Sequence, residues 1–143
     1  MKKHVQTTAL MAALISGAMT AGIAQAGNHA EAKVWANNQA VSEGTVTAKK
    51  VNAEVNGWLV VHRTGDTMKP GPVVGYAPLK KGENTDVSAI LTEEVKSGDM
   101  LMLMVRAKDG GMKTGAFEYT LGAKEDGPIK KDGKLVMTTI TAQ

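Results

Sequence analysis

The chain has 143 residues, 43% of them apolar, 22% charged and only 3% aromatic, with a formal charge of +3 and no cysteine. That length and balance fit one compact domain. The missing thiol excludes a disulfide scaffold, a thiolate nucleophile, a type-1 copper centre and a cysteine-ligated zinc site, and five aromatics (Trp35, Trp58, Tyr76, Phe117, Tyr119) are too few for a broad base- or sugar-stacking platform.

The first element in chain order reads as an export leader. Lys2 and Lys3 precede an apolar run from Ala9 to Ile23 that ends in Ala24-Gln25-Ala26. A basic start, a short apolar centre and an A-x-A exit are the three parts of a secretory signal peptide, so residues 1–26 are expected to be removed. The apolar run, about fifteen residues, falls short of the roughly 20 that cross a bilayer as a helix, so no integral membrane anchor is expected after cleavage. The leader holds two of the seventeen Lys/Arg residues and none of the fourteen Asp/Glu, leaving 15 against 14 and a formal charge of +1. A nearly neutral chain offers no electrostatic footprint for nucleic acid. The expected location is periplasmic or extracellular, with residues 27–31 as a flexible N-terminus and 32–143 as the domain.

Beyond the leader, short β-prone runs alternate with turn clusters. The runs cover 33–36, 45–51, 57–63, 72–77, 86–91, 100–107, 115–121 and 135–141, and the turns between them are rich in Gly, Asn, Asp and Pro. This spacing predicts an all-β fold, a single antiparallel β-sandwich of about seven or eight strands. One helical turn is expected around Thr92 to Lys96. Period-two alternation assigns faces: Val87, Ala89 and Leu91 oppose Asp86, Ser88, Ile90 and Thr92, and Phe117, Tyr119 and Leu121 oppose Glu118 and Thr120. Leu101, Leu103 and Val105 form one apolar face of their strand, while Met100, Met102, Met104 and Arg106 form the other. A strand apolar on both sides is expected to be central and covered.

The order of segments resembles a known family of exported archaeal and bacterial β-sandwich domains of unknown function. The residues that carry the resemblance are Gly57-Trp58-Leu59-Val60-Val61-His62, then Pro70-Gly71-Pro72-Val73-Val74-Gly75-Tyr76-Ala77-Pro78-Leu79, Asp86-Val87, the run from Leu101 to Gly110, Gly115-Ala116-Phe117-Glu118 and Asp126-Gly127-Pro128-Ile129. The resemblance implies an immunoglobulin-like or cupredoxin-like Greek key on the outer side of the membrane, and it brings no catalytic residues. This chain departs from the family at Arg106, where histidine is frequent.

Catalysis finds no constellation. Ser42, Ser88 and Ser97 stand in no nucleophile-elbow context, and the acidic pairs Glu93-Glu94 and Glu125-Asp126 sit on turns, where carboxylates normally face water. An enzyme is therefore not expected. Two uses of the methionine face are open. His62, Met100, Met102 and Met104 are candidate ligands for a soft metal, Cu(I) or Ag(I), which suits thioether and imidazole donors; His29 in the new N-terminus is a further donor. Met100, Met102, Met104 and Arg106 are alternatively a packing or partner-facing patch. The expected function is a non-catalytic exported binding or structural module whose partner is a protein or a component of the cell envelope, with self-association left open. The alternatives are a Cu(I)/Ag(I)-binding protein and a filament or matrix subunit joined by exchange of the N-terminal strand.

Overall fold

The computed structural model describes residues 31–110, 116–118 and 124–143. The strands are β1 (Lys33–Trp35), β2 (Thr45–Ala53), β3 (Gly57–Thr64), β4 (Val73–Leu79), β5 (Gly82–Leu91), β6 (Met100–Ala107), β7 (Lys130–Lys131), β8 (Lys134–Leu135) and β9 (Met137–Thr141). Seven of them form one antiparallel sheet in the order β1-β2-β5-β4-β3-β6-β9, and β7 pairs only with β8. Strands β3, β4 and β5 make a meander; β6 returns to lie beside β3 and β2 lies beside β5, which is Greek-key connectivity. The expected all-β antiparallel fold is present. Its two walls are a single sheet that curls until its ends approach.

Residue 39 stitches those ends together. Gln39 bridges in parallel to Ala142, and its backbone carbonyl accepts from the Gln143 N–H at 2.9 Å. Its side-chain Nε2 donates to the Thr47 carbonyl and its Oε1 accepts from the Thr47 N–H, both at 2.8 Å. The amide thereby stands in for a strand neighbour along β2, satisfying backbone groups that an open edge would leave to water. Asn38 adds an acceptor for the Thr141 N–H at 2.8 Å.

Inside the curl, Val34, Val46, Leu59, Val61, Val74, Leu101, Leu103, Val105 and Ile140 are buried in one apolar cluster. The alternation seen in sequence explains β6: its leucines and Val105 point into this cluster, and the methionines point the other way. Strand β2 breaks the simple alternation. Val46 and Ala48 face inward, then Val51 and Ala53 do, so the inward phase shifts by one residue at Lys49 and Lys50. The partner strand shows the cause: Asp86 takes a left-handed φ of 50° and drops out of the ladder between the pairs Ala48↔Val87 and Lys50↔Thr85.

Three sequence expectations need adjustment. Strand β5 begins at Gly82 rather than Asp86, because the polar Glu83, Asn84 and Thr85 complete the ladder with β2 on the exposed side. No helix forms at Thr92 to Lys96. There the chain is pinned in an irregular, bent course: the Thr92 N–H and hydroxyl both donate to the Val74 carbonyl, Asp99 Oδ2 accepts from the Lys96 N–H, and Val95 is buried. Of the strand expected at 115–121, residues 116–118 are described and lie outside any strand; Gly115, Tyr119, Thr120 and Leu121 lie outside the described residues, as do the expected leader at residues 1–26 and residues 27–30 with His29. Among the described residues, no helix is long and apolar enough to cross a membrane.

Candidate binding face

The β3–β6 register fixes the outer side of the sheet. Trp58 faces Arg106, Val60 faces Met104, His62 faces Met102 and Thr64 faces Met100, while β9 sets Thr139 beside Met102 and Met137 beside Met104. Directly opposed side chains in an antiparallel pair share a face, so His62 and the three methionines do stand together, as the alternation in sequence implied. They are not at the surface. Met102 and Met104 are fully buried and Met100 is half-buried; His62 and Arg106 are 1% and 2% exposed. These outward-pointing residues form a second packed layer beyond the inner cluster.

Both nitrogens of His62 are engaged. Nδ1 lies 2.8 Å from the Gly71 carbonyl oxygen and Nε2 lies 3.2 Å from Arg106 Nη2. A carbonyl only accepts and a guanidinium only donates, so the ring carries its proton on Nδ1 and receives Arg106 at Nε2. Burial holds the imidazole pKa below its ordinary value; the Gly71 bond opposes that, and the neighbouring Arg106 charge reinforces it. The neutral ring is a hydrogen-bonded strut that ties the 64–72 loop to β6. A metal at Nε2 would have to displace the guanidinium and share its buried surroundings. Among the described residues, no group of three or more His, Asp and Glu side chains gathers as an ion site.

A second polar assembly organises the loop end of the molecule. Asp126, fully buried and left-handed at φ 49°, accepts from the Glu118 N–H at 2.8 Å through Oδ2 and from the Asp109 N–H at 3.2 Å through Oδ1. Lys108 Nζ reaches Asp126 at 3.3 Å and Glu118 at 3.2 Å. Burial pulls the Lys108 pKa down, but the bonds to Glu118 and Asp126 outweigh it and the net shift is upward. Arg106 Nη1 donates to the Asp126 carbonyl at 3.4 Å, linking this hub to the His62 layer. The expectation that Glu125-Asp126 faces water thus fails for Asp126, which folds inward because two backbone N–H groups need its acceptors. Only the three-dimensional approach of 109, 118 and 126 reveals this; in sequence the pair looks like an ordinary turn.

Among the described residues the exposed large apolar side chains are Val55, Met68 and, together on the outer side of β4 and β5, Tyr76 and Ile90. Ile90 is 74% exposed and Tyr76 46%. They are direct cross-strand partners, and Thr45 and Ser88 adjoin them through the pairs Thr45↔Ile90 and Thr47↔Ser88. Tyr76 packs edge-on to Trp58 at 5.7 Å and lies 4.8 Å from Phe117, and Trp58 and Phe117 are 5.6 Å apart. A shallow groove lined by Tyr76, Ala77, Pro78, Ser88, Ile90 and Thr92 runs beside Ile90. Each of these outer side chains is uncharged. The signal in sequence was the pattern Asp86, Ser88, Ile90, Thr92, which puts one isoleucine on an otherwise polar face.

Residues 32–143 match a domain family described as a domain of unknown function, DUF7282. The chain belongs to the DUF7282 family. The matched stretch spans every strand of the sheet from β1 to β9 together with the Asp126 hub and the Tyr76–Ile90 face. Comparison of the DUF7282 chain with curated proteins and with solved structures returns no match.

Proposed function

We propose that this DUF7282 protein is an exported, non-catalytic binding or structural module that contacts a component of the cell envelope through the outer face of β4 and β5. The observation that carries the reading is Ile90, 74% exposed near the end of β5 and paired across the sheet with Tyr76. Scattered surface apolar side chains are ordinary, but a large aliphatic side chain adjoining an aromatic cluster and a groove on a rigid sheet is the usual make-up of a contact surface. Export is supported by the leader pattern of residues 1–26. Nucleic acid is disfavoured by the near-zero charge of residues 27–143.

The test is fractionation of expressing cells with intact-mass measurement, followed by retention of the purified protein on washed envelope. The expected results are a mass that starts at Gly27 and retention that falls at least tenfold for Ile90→Asp and Tyr76→Ser. An uncleaved cytoplasmic chain, or variants retained like the parent, would contradict the reading.

The cross-strand pair His62↔Met102 keeps a Cu(I) or Ag(I) role as a second reading, since imidazole and thioether stand together there. The Arg106 bond to Nε2 weighs against it. Anaerobic Cu(I) titration separates the two: binding at micromolar concentration that disappears in His62→Gln favours the metal reading, and its absence favours the contact face.

A further inference from the structure

We propose that the recess around Trp35 binds an acidic sugar, a hexuronate residue of an oligosaccharide, with the indole as its apolar seat and the surrounding lysines on its carboxylate. The site lies on β1, β2 and the first half of β5, apart from Tyr76 and Ile90, and goes beyond the contact reading of that face.

Strand pairing sets Trp35, Lys50 and Thr85 side by side across three strands. Lys49 joins them, because the phase shift in β2 leaves two consecutive lysines out of the inward pattern. These four side chains line a recess of about 390 Å³, within the range of roughly 300–1,000 Å³ that takes small ligands. Lys33 Nζ lies 4.9 Å and Lys50 Nζ 5.3 Å from the centre of the Trp35 ring, so the indole gathers two ammonium groups at one spot. Lys50 pairs with Glu83, but among the described residues Lys33 and Lys49 have no carboxylate within ion-pair distance, and Glu31, just before β1, is held by Lys131. Three lysines thus share one glutamate in a chain that is otherwise nearly neutral. Like charges gathered this closely repel one another unless an anion joins them, which makes the recess complementary to a ligand carboxylate.

Unused polar groups point to a sugar as the carrier of that carboxylate. The Thr85 hydroxyl makes no hydrogen bond among the described residues, whereas those of Thr47 and Ser88 bond each other at 2.7 Å. Asn52, the cross-strand partner of Lys33, is 7% exposed and its Oδ1 has no donor among the described residues. A buried acceptor without a donor is uncommon, and a ligand hydroxyl at the Lys33 end of the recess supplies one. Single-stranded nucleic acid fits less well, since it is held by successive stacking platforms and one indole stands here. A membrane surface takes up protruding tryptophans, whereas Trp35 is half-buried as one wall of the recess.

Amide NMR titration of the purified protein with tetragalacturonate at neutral pH tests the proposal. The expected result is a dissociation constant below about 1 mM, with shifts centred on Lys33, Trp35, Lys49, Lys50 and Thr85. The fully methyl-esterified tetramer keeps the rings but loses the charge, and it is expected to bind at least about tenfold more weakly, as is neutral maltotetraose. Trp35→Ala and the double variant Lys33→Gln/Lys49→Gln are each expected to lose about tenfold as well. Both lysines are exposed, so the double variant keeps its fold and decides the matter even if Trp35→Ala does not. The inference is overturned by no saturation at about 10 mM, by a methyl ester that binds as well as the acid, or by a double variant that binds like the parent. Tighter Trp35-dependent binding of oligothymidylate or of phosphatidylglycerol vesicles also overturns it. Ile90→Asp is expected to leave tetragalacturonate binding unchanged. Hexuronate binding by a protein whose envelope retention ignores Ile90 therefore sinks only the contact reading, and retention through Ile90 without hexuronate binding sinks only this inference.

Discussion

Position 62 shows how one side chain changes meaning between sequence and structure. In sequence, a lone histidine opposite a methionine strand suggests donors for a soft metal; in the fold, Gly71 and Arg106 take both ring nitrogens. Its depressed pKa has a signed consequence. The unfolded imidazole takes up its proton near pH 6.5 while the folded one resists it, so the unfolded state binds more protons below that pH and stability falls. Urea midpoints are expected to be level above about pH 7 and to decline from about pH 6.5 downward, with the decline largely absent in His62→Gln. A second loss is expected at lower pH. The Lys96 N–H and then Arg63 hold the Asp99 carboxyl below its ordinary range, and this stabilisation disappears as pH falls through that depressed value. Asp126 is the most demanding single position. Asp126→Ala strips acceptors from the N–H groups of Asp109 and Glu118 and leaves Lys108 facing a gap, a change expected to cost about 2–4 kcal/mol in chemical denaturation. Nothing at residues 125–126 alone announced that hub, since its partners come from segments separated in the chain.

At the level of elements, hydrophobic alternation carried most of the legible information. It located seven strands and the two-sided character of β6, because a buried strand must place apolar groups on both faces. It could not locate the phase shift in β2, which originates in the left-handed Asp86 on the neighbouring strand. Nor could it reveal the closure at Gln39, where a side chain substitutes for a strand. Gln39→Ala is expected to lower stability by about 1–2 kcal/mol and to speed amide exchange at Thr47 and along β9 more than in β3; uniform exchange would contradict its stitching role. Gly57 has a comparable role at the start of β3: a Cβ there would sit 2.0 Å from the Arg106 carbonyl oxygen, so Gly57→Ala is expected to pry β3 from β6. The methionine layer separates packing from recognition. Met102→Thr and Met104→Thr each remove a fully buried side chain and are expected to cost about 2–4 kcal/mol, seen as lower denaturant midpoints, with envelope retention at native conditions unchanged. Ile90→Asp is expected to show the reverse: stability within about 0.5 kcal/mol of the parent and loss of retention on envelope.

For the whole molecule, the curled sheet divides the work between its two sides. The inner cluster and the methionine layer make β3 and β6 a doubly covered centre, and a side chain presented by β4 and β5 is held on a rigid support. The near-zero formal charge of residues 27–143 suits contact by shape and apolar area rather than by long-range attraction, so retention on envelope is expected to vary little with salt. The fold class could be read from the sequence because strand spacing and alternation are local. The contact face was only half legible: Ile90 stood out on its polar face, but its neighbours Tyr76 and Thr45 become neighbours only through strand pairing. The most direct measurement of the central claim is a titration of solubilised envelope extract into the purified protein, followed by two-dimensional amide NMR. The account predicts shifts or broadening centred on Thr45, Tyr76, Ser88 and Ile90. Spectra unchanged by the extract, or changes centred on Met100 to Arg106, would contradict it.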